Sequence, residues 1–317
     1  MRPATVAELS EAVRCSSTVR IVGSGSKGDF GVASAALEDD KRQSESGFHH
    51  GDTEDTERHG GSEASCQGPI DLDMTGYAGI VSHEPADQVI VARAGTLFAE
   101  LQEELAKSRL CVPIPAMAEH GLLCGGFPGT VGGLISMNLP HGLFAQCGGP
   151  RDWVLGMTVV RGDGTLAKSG SRVVKSVAGY DVHKLFIGAR GTLGVVAEVA
   201  LRTFPIRALP RGEFRTVKPY EAGSPLWIQR VLPRDFAAAT AAAGESLLAE
   251  DRASATLWAS VESGEQLPRY AEDWVLRAGC NSANLPTASK AVRKLMCATK
   301  AALDPSGKFN PGAMGVV

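Results

Sequence analysis

The sequence predicts an α+β fold made of a larger N-terminal unit and a small C-terminal unit. Its 317 residues are enough for two cores of different size. Short strand-like segments are interspersed with few helices, which is typical of α+β proteins. Pro205 and Pro210 bracket a basic connector, so we place the domain boundary there. The predicted domains are residues 1–209 and 210–317.

Local signals predict the elements of the larger unit. Thr5 and Glu8 form a capping box that opens a helix ending near Cys15. Thr96 is predicted to cap a second helix with Leu97, Leu101 and Leu105 on one face. Asp163-Gly164 is a strong turn signal for a hairpin. The predicted strands are 19–22, 79–81 paired with 89–91, 154–160 paired with 165–168, and 193–203.

The small unit carries its own strand and helix patterns. Strands are predicted at 226–232 and 256–261, with an Ala-rich helix after Asp235. A last helix carries its apolar residues on one stripe, which consists of Val292, Leu295, Met296, Thr299 and Leu303.

Composition excludes several classes of protein. The formal net charge of -3 provides no basic surface for nucleic acid. No apolar run is long enough to cross a bilayer, and the N-terminus has no secretory apolar region. Seven Cys residues form no C-x-x-C pair, which argues against a disulfide framework, a zinc ribbon and a cysteine-ligated iron–sulfur cluster. We therefore expect a cytoplasmic protein without a resident metal.

Residues 38–68 differ from the rest of the chain because they are almost entirely polar and have no period. Such a segment buries too little apolar area to offset its ordering entropy. We expect a mobile surface insertion within the larger unit. Its histidines, amid acids, are therefore interpreted as solvated and not as a metal site.

Three glycine-rich segments carry the chemistry. Gly23-x-Gly25-x-x-Gly28 follows a strand as a dinucleotide fingerprint does, but residues 29–36 are too short for the required helix. Its backbone N–H groups and Lys27 still suit a phosphate. Residues 125–133 form a second glycine-dense segment, in which the backbone must pass very close to a neighbour.

The third segment combines two motifs in a fixed order. Lys175-Ser-Val-Ala-Gly-Tyr-Asp181 is followed by Leu185, and then by Gly188-Ala-Arg-Gly-Thr-Leu-Gly-Val195. A polar loop and a glycine turn would explain each motif separately. Neither explains why they occur in this order after the other two glycine-rich segments.

The order of these motifs resembles the FAD-binding domain of the vanillyl-alcohol oxidase and p-cresol methylhydroxylase (PCMH) superfamily. In that family a pyrophosphate loop matches 22–28, a Thr-(Ile/Val)-Gly-Gly turn matches 130–133, and a Gly-Thr-Leu-Gly turn matches 191–195. Residues 303–312 are also similar to the end of its members. The resemblance implies a two-subdomain PCMH-type FAD-binding domain with a small C-terminal α+β cap domain.

The resemblance also implies which residues contact the cofactor. FAD is expected without a covalent bond, because His120 and Cys124 lie in no recognised attachment motif. The implied cofactor-binding residues are Gly23, Ser24, Gly25, Ser26, Lys27, Thr130, Val131, Gly132, Gly133, Asn138, Lys175, Gly179, Asp181, Gly191, Thr192, Gly194 and Val195.

Within the superfamily, Val-Ala-Gly-Tyr-Asp-Val is most similar to FAD-binding subunits of glycolate oxidase. This implies oxidation of a small 2-hydroxy acid with a second flavin subunit and an iron–sulfur subunit as partners, and membrane contact only through them. All seven His residues lie at or before His183, so the cap offers no His base or metal site. No catalytic residue is assigned, although Arg151, Lys175 and Arg190 are possible anion contacts. A stand-alone oxidase of a small alcohol or hydroxy acid and a non-catalytic scaffold remain alternatives.

Overall fold

The structure is a computed structural model that describes ten parts of the chain. Residues 272–276 are described by their backbone alone. The described residues are 1–23, 68–114, 129–138, 141, 143–171, 180–210, 213–219, 226–260, 272–276 and 289–313. Most of the predicted insertion at 38–68 therefore lies outside them.

The described helices and strands confirm a mixed fold in which strands dominate the first part of the chain. Helices are α1 (Val6–Cys15), α2 (Phe98–Ala106), α3 (Val131–Met137), α4 (Phe144–Cys147), α5 (Pro150–Trp153), α6 (Phe236–Ala243) and α7 (Lys290–Leu303). Strands are β1 (Val19–Val22), β2 (Ile70–Asp73), β3 (Ile80–Glu84), β4 (Val89–Arg93), β5 (Leu110–Cys111), β6 (Val154–Val160), β7 (Leu166–Gly170), β8 (Val195–Arg202), β9 (Phe204–Pro205), β10 (Phe214–Thr216), β11 (Leu226–Arg230), β12 (Leu247–Asp251), β13 (Thr256–Ala259) and β14 (Glu272–Leu276).

The part of the chain before β10 contains two subdomains. One is built on the parallel pair β1–β2 together with α1. The other is an antiparallel sheet in the order β3-β4-β8-β6-β7, which confirms the predicted strand pair around Pro85 and the hairpin around Asp163-Gly164. One face of this sheet joins α1, α2 and α3 in a single apolar core with Trp153 fully buried.

The two helix starts predicted from capping residues turned out differently. At α1 the Thr5 hydroxyl accepts the N–H of Glu8 at 3.2 Å, as predicted. At α2 the prediction is wrong, because the helix begins at Phe98 without a side-chain cap and Leu97 is 39% exposed. The Thr96 hydroxyl instead accepts the N–H of Gly79 at 2.9 Å and donates to its carbonyl at 3.1 Å. The Thr96 side chain therefore binds Gly79, which is distant in sequence, and does not cap the helix that follows it.

A second antiparallel sheet is formed later in the chain, in the order β10-β12-β13-β11-β14. Helix α6 packs against it through Phe236, Ala239 and Ala243. Its core is separate from that of the first sheet and is built largely of Ala, Leu and Trp side chains. The predicted strands and the Ala-rich helix are confirmed in this sheet.

The C-terminal segment of the chain packs on the N-terminal unit. Helix α7 is confirmed, but Val292 and Leu295 on its predicted apolar stripe are exposed, while Lys300 is buried. Phe309 is fully buried in the first core and pairs with Val19 of β1. The predicted division at residue 209 stays a prediction, and the last residues of the second predicted domain contribute to the core of the first. Within the described residues, no helix is both long and apolar enough to span a membrane.

Candidate flavin site

The predicted glycine-rich turns meet where the two subdomains join. Gly23 follows β1, and a Cβ atom placed on it would lie 2.9 Å from the Thr130 hydroxyl. A Cβ placed on Gly191 would lie 3.1 Å from the Ile21 side chain. The end of β1 therefore touches both other predicted turns. We call this region, comprising 21–23, 130–138, 188–192 and 310–313, the junction.

The Thr130–Gly133 turn begins helix α3, and its N–H groups are bonded within the protein. Val131 donates to the Thr96 carbonyl at 2.9 Å, Gly132 donates to Ala94 at 2.7 Å, and Gly133 donates to the Thr130 hydroxyl at 3.1 Å. These three donors are already used. The turn accordingly shapes the junction more than it supplies phosphate donors.

Close packing explains the glycine at position 132. A Cβ there would lie 2.8 Å from the Ala94 Cβ and 3.0 Å from the Ala94 carbonyl oxygen. Both atoms belong to Ala94, directly after β4, and neither can move aside as the end of a flexible side chain can. Gly132 is therefore needed for α3 to pack closely on the sheet. This requirement holds independently of any contact made by the half-buried outer surface of Gly132.

Three strained residues lie within the junction. Among the described residues, six other than Gly have positive φ, and these include Asn138 at 47°, Arg190 at 50° and Asn310 at 38°. The Arg190 N–H donates to Ser136 at 3.0 Å. Such conformations cost free energy and are concentrated at functional sites, because the surrounding structure must hold them in place.

Asn138 provides an observation that suits a bound cofactor. It ends α3 in the left-handed conformation, and Gly188 packs on it, with a hypothetical Cβ at 3.3 Å. Its side-chain oxygen is buried and has no hydrogen-bond partner among the described residues. Burying such an acceptor without a donor is costly. FAD carries ring N–H and ribityl hydroxyl donors, so the acceptor fits that cofactor.

The Gly191–Val195 turn is held in place by contacts within the protein. The buried Thr192 hydroxyl donates to the Ala189 carbonyl at 2.7 Å, and Val195 is fully buried at the start of β8. Gly194 has a φ of 154°, and a Cβ there would lie 3.1 Å from the Val160 carbonyl oxygen. Gly191 is half-buried and lies at the rim of the junction.

Asp181 does not lie among these turns. Its exposed carboxylate pairs with Lys184 at 2.7 Å, and the hydrogen bond from Lys184 lowers the carboxylate's pKa. Arg151, another predicted anion contact, donates to the Lys184 carbonyl at 3.2 Å. These two residues therefore lie close to one another. Arg190 is the predicted anion contact that the structure places in the junction.

Other predicted contacts fall outside the described residues, so the structure does not place them. They are Ser24, Gly25, Ser26, Lys27, Lys175 and Gly179.

Sequence reasoning assigned no cofactor-site role to Asn310. Its side-chain oxygen accepts the N–H of Ile21 at 2.7 Å, and its amide nitrogen donates to the Arg190 carbonyl at 2.8 Å. The available signal was the Phe-Asn-Pro-Gly stretch, since Asn before a turn tolerates positive φ.

A groove on the opposite face of the first sheet is a separate feature. It encloses about 390 Å³, including space open to solvent, and is lined by Thr158, Lys168 and Glu198, among others. No described residue of the predicted glycine turns lines this groove. Within the described residues, no group of three His, Cys, Asp or Glu side chains is placed to hold a metal ion.

A glycine-lined junction between two subdomains defines a protein class that binds an extended cofactor along closely approaching backbone. Residues 56–170 match the family model of the FAD binding domain. Over these residues the chain is similar to FAD-binding domains, and its cofactor is FAD. The sequence-based expectation of family, cofactor and fold class is confirmed.

Curated relatives match part of the chain. Glycolate oxidase subunit GlcE of Escherichia coli is 32% identical over 136 residues, which are 42% of this chain and 37% of that protein. D-lactate dehydrogenase of Anaerostipes hadrus is 30% identical over 161 residues, 51% of this chain and 32% of that protein. Glycolate oxidase subunit GlcD of Bacillus subtilis is 40% identical over 76 residues, 24% of this chain and 16% of that protein. The matches thus span between 16% and 37% of these relatives' own length.

A solved structure of alkyldihydroxyacetonephosphate synthase is similar with a TM-score of 0.47 and 14% identity. The similarity covers 76% of this chain and 35% of that one.

Proposed function

We propose that this protein is the FAD-binding subunit of a multi-subunit 2-hydroxy-acid oxidoreductase that converts glycolate to glyoxylate. The observation that carries the proposal is the meeting of the β1 end, the Thr130 turn and the Gly191 turn at one junction. Separate structural turns would have no reason to converge. A cofactor that runs across both subdomains requires all three in one place.

The residues of the junction hold and orient the cofactor. Bound FAD supplies the acceptor for the hydride that leaves the hydroxyl-bearing carbon. Asn138 would accept a hydrogen bond from FAD, and Arg190 would provide positive charge. The residues from Gly23 to Gly28, with Lys27, are proposed to bind the pyrophosphate.

Relatives support the substrate class. Two matched proteins are glycolate oxidase subunits, and others are dehydrogenases of D-lactate and D-2-hydroxyglutarate. These substrates share a hydroxyl group next to a carboxylate. That shared chemistry supports a 2-hydroxy acid, and the glycolate oxidase matches favour the smallest one.

The distribution of His and Cys residues supports a role as one subunit among several. No His follows His183 in this sequence, and no C-x-x-C pair occurs in it. Hydroxy-acid oxidation needs a base or metal for the hydroxyl proton, and onward electron transfer needs a further carrier. We propose that a second flavin subunit and an iron–sulfur subunit supply them, in a cytoplasmic complex that meets a membrane only through those partners.

Anaerobic mixing with hydroxy acids tests this proposal. We expect the isolated FAD-loaded chain to bleach slowly or not at all with glycolate, D-lactate or D-2-hydroxyglutarate. Co-expression with the two partner subunits should give glycolate-dependent dye reduction. Bleaching of the lone chain at roughly 1 per second or faster would identify a complete stand-alone oxidase. Absence of FAD from the purified chain would favour the scaffold alternative.

A further inference from the structure

The C-terminal segment is bonded directly to the strand that leads into the predicted phosphate loop. The Val19 N–H donates to the Lys308 carbonyl at 2.9 Å, and the Asn310 N–H donates to the Val19 carbonyl at 3.0 Å. Phe309, between them, is fully buried in the first core. Residues 308–310 therefore extend the β1–β2 pair by a third strand-like stretch.

A buried charge cluster holds this segment in place. Lys300 Nζ donates to Asp304 Oδ2 at 2.6 Å, to the Thr192 carbonyl at 2.6 Å and to the Phe309 carbonyl at 2.9 Å. All three ammonium N–H groups are thus used. Asp304, which is 1% exposed, also accepts the N–H of Lys308 at 3.1 Å and that of Phe309 at 2.9 Å.

The same cluster reaches the Gly191–Val195 turn. The Thr192 carbonyl that Lys300 binds is one residue from Gly191, which lies at the rim of the junction. Lys300 therefore ties that turn to the Asp304–Phe309 loop. The buried lysine acts as a positioning residue for the turn, since its ammonium group is fully occupied by protein partners.

Asn310 bridges the two subdomains at the junction. Its side chain binds Ile21 through the oxygen and Arg190 through the nitrogen, at 2.7 and 2.8 Å. A Cβ on Gly191 would lie 2.7 Å from the same Asn310 nitrogen. One amide group therefore fixes the distance between the end of β1 and the glycine turn facing it.

We propose that Asn310 and the Lys300–Asp304 pair are positioning residues for FAD, acting through the β1 end and the Arg190–Thr192 turn. The inference rests on the proposed location of the FAD site at the junction. Its consequence is that flavin affinity depends on residues assigned no contact with the cofactor. Conversely, bound FAD should stabilise the C-terminal segment, because the coupling of two equilibria is reciprocal.

The substitution Asn310→Gly tests the bridge while allowing the positive φ. Losing two hydrogen bonds that set the loop spacing should raise the FAD dissociation constant about tenfold or more. The control is Leu257→Ala, which opens a cavity in the core of the second sheet, a cluster that contains no residue of the junction. It should lower stability and leave the FAD dissociation constant within about twofold of wild type. FAD affinity is read from flavin fluorescence below the unfolding transition.

The outcomes separate this inference from the function on which it rests. Wild-type FAD affinity in Asn310→Gly, or an equal loss of affinity in both variants, overturns the positioning role alone. A wild-type chain that binds no FAD overturns the junction site itself.

If Asn310→Gly fails to fold, hydrogen exchange on the wild-type chain decides the question. FAD should slow exchange in peptides containing Ile21 and in peptides spanning 308–313. Unchanged exchange there upon saturation with FAD would contradict the coupling.

Discussion

The first sheet with its junction and the second sheet differ in how polar groups are used. The junction contains three non-glycine residues with positive φ and is tied to a buried ion pair. The core of the second sheet is largely apolar, and the indole nitrogens of Trp227 and Trp258 have no hydrogen-bond partner among the described residues. The second sheet has one such residue within its described part, Ala255 at 49°. The comparison indicates that costly backbone geometry is concentrated in the first region, whereas the second is stabilised mainly by packing.

The largest expected difference between the regions comes from their ion pairs. Lys300→Met leaves the buried Asp304 carboxylate without its cation, and we expect a loss of roughly 3–5 kcal/mol in the free energy of unfolding. The matched change in the second sheet is Arg215→Met, which breaks the pair between the exposed Arg215 and the partly buried Glu250 and should cost roughly 0–1 kcal/mol. Urea titrations of both variants check this. Equal losses of unfolding free energy in the two variants would contradict the proposed difference between the two regions.

A packing change should affect the second sheet selectively. Leu257→Ala removes a fully buried side chain and should cost about 3 kcal/mol, because the cavity collapses only in part. Tryptophan fluorescence reports this loss, since three of the four Trp residues lie between 227 and 274. The denaturation midpoint at which flavin is released should stay at its wild-type value. A joint shift of both signals would show that the two regions unfold as one cooperative unit.

Local sequence signals predicted much of the first region and the motifs of its site. The capping box at Thr5 and the Asp163-Gly164 turn depend on residues that are neighbours in sequence. Both could therefore be predicted from the sequence alone. Thr96 could not be predicted, because its partner Gly79 is distant in the chain. Lys300 was missed for a related reason. A lysine on a helix is predicted to lie at the surface unless the segment that buries it is known.

Acid should weaken the first region through His141. Burial lowers the pKa of this histidine to about 4, and its ring binds the Leu143 N–H at 3.2 Å and the Gly148 carbonyl at 3.0 Å. The folded pKa lies below the unfolded value, so the unfolded state takes up the proton first. Stability should therefore fall as pH drops from about 6.5 to 4, by up to about 3 kcal/mol.

His141→Gln removes the titrating ring and provides the test of this acid effect. The variant should be less stable than wild type at pH 7, yet its free energy of unfolding should change less between pH 6.5 and 4. Parallel pH profiles of the two proteins would rule out His141 as the source of the acid sensitivity.

The smallest expected effect has the opposite sign and lies in the second sheet. Burial raises the pKa of Asp251, which also accepts the Ser254 hydroxyl and the Ala253 N–H. Because the folded pKa exceeds the unfolded one, protonation favours the folded state. The contribution of the Asp251 carboxyl group to stability is then most favourable at low pH, and it is lost as pH rises through the folded pKa. Asp251→Asn removes this charge and should increase the free energy of unfolding at pH 7 by about 1 kcal/mol or less. The advantage of the variant over wild type should shrink as pH falls toward 4, when followed by tryptophan fluorescence. An advantage that grows toward acid would mean that Asp251 behaves as a stabilising carboxylate, and the two regions would then respond to acid in the same direction.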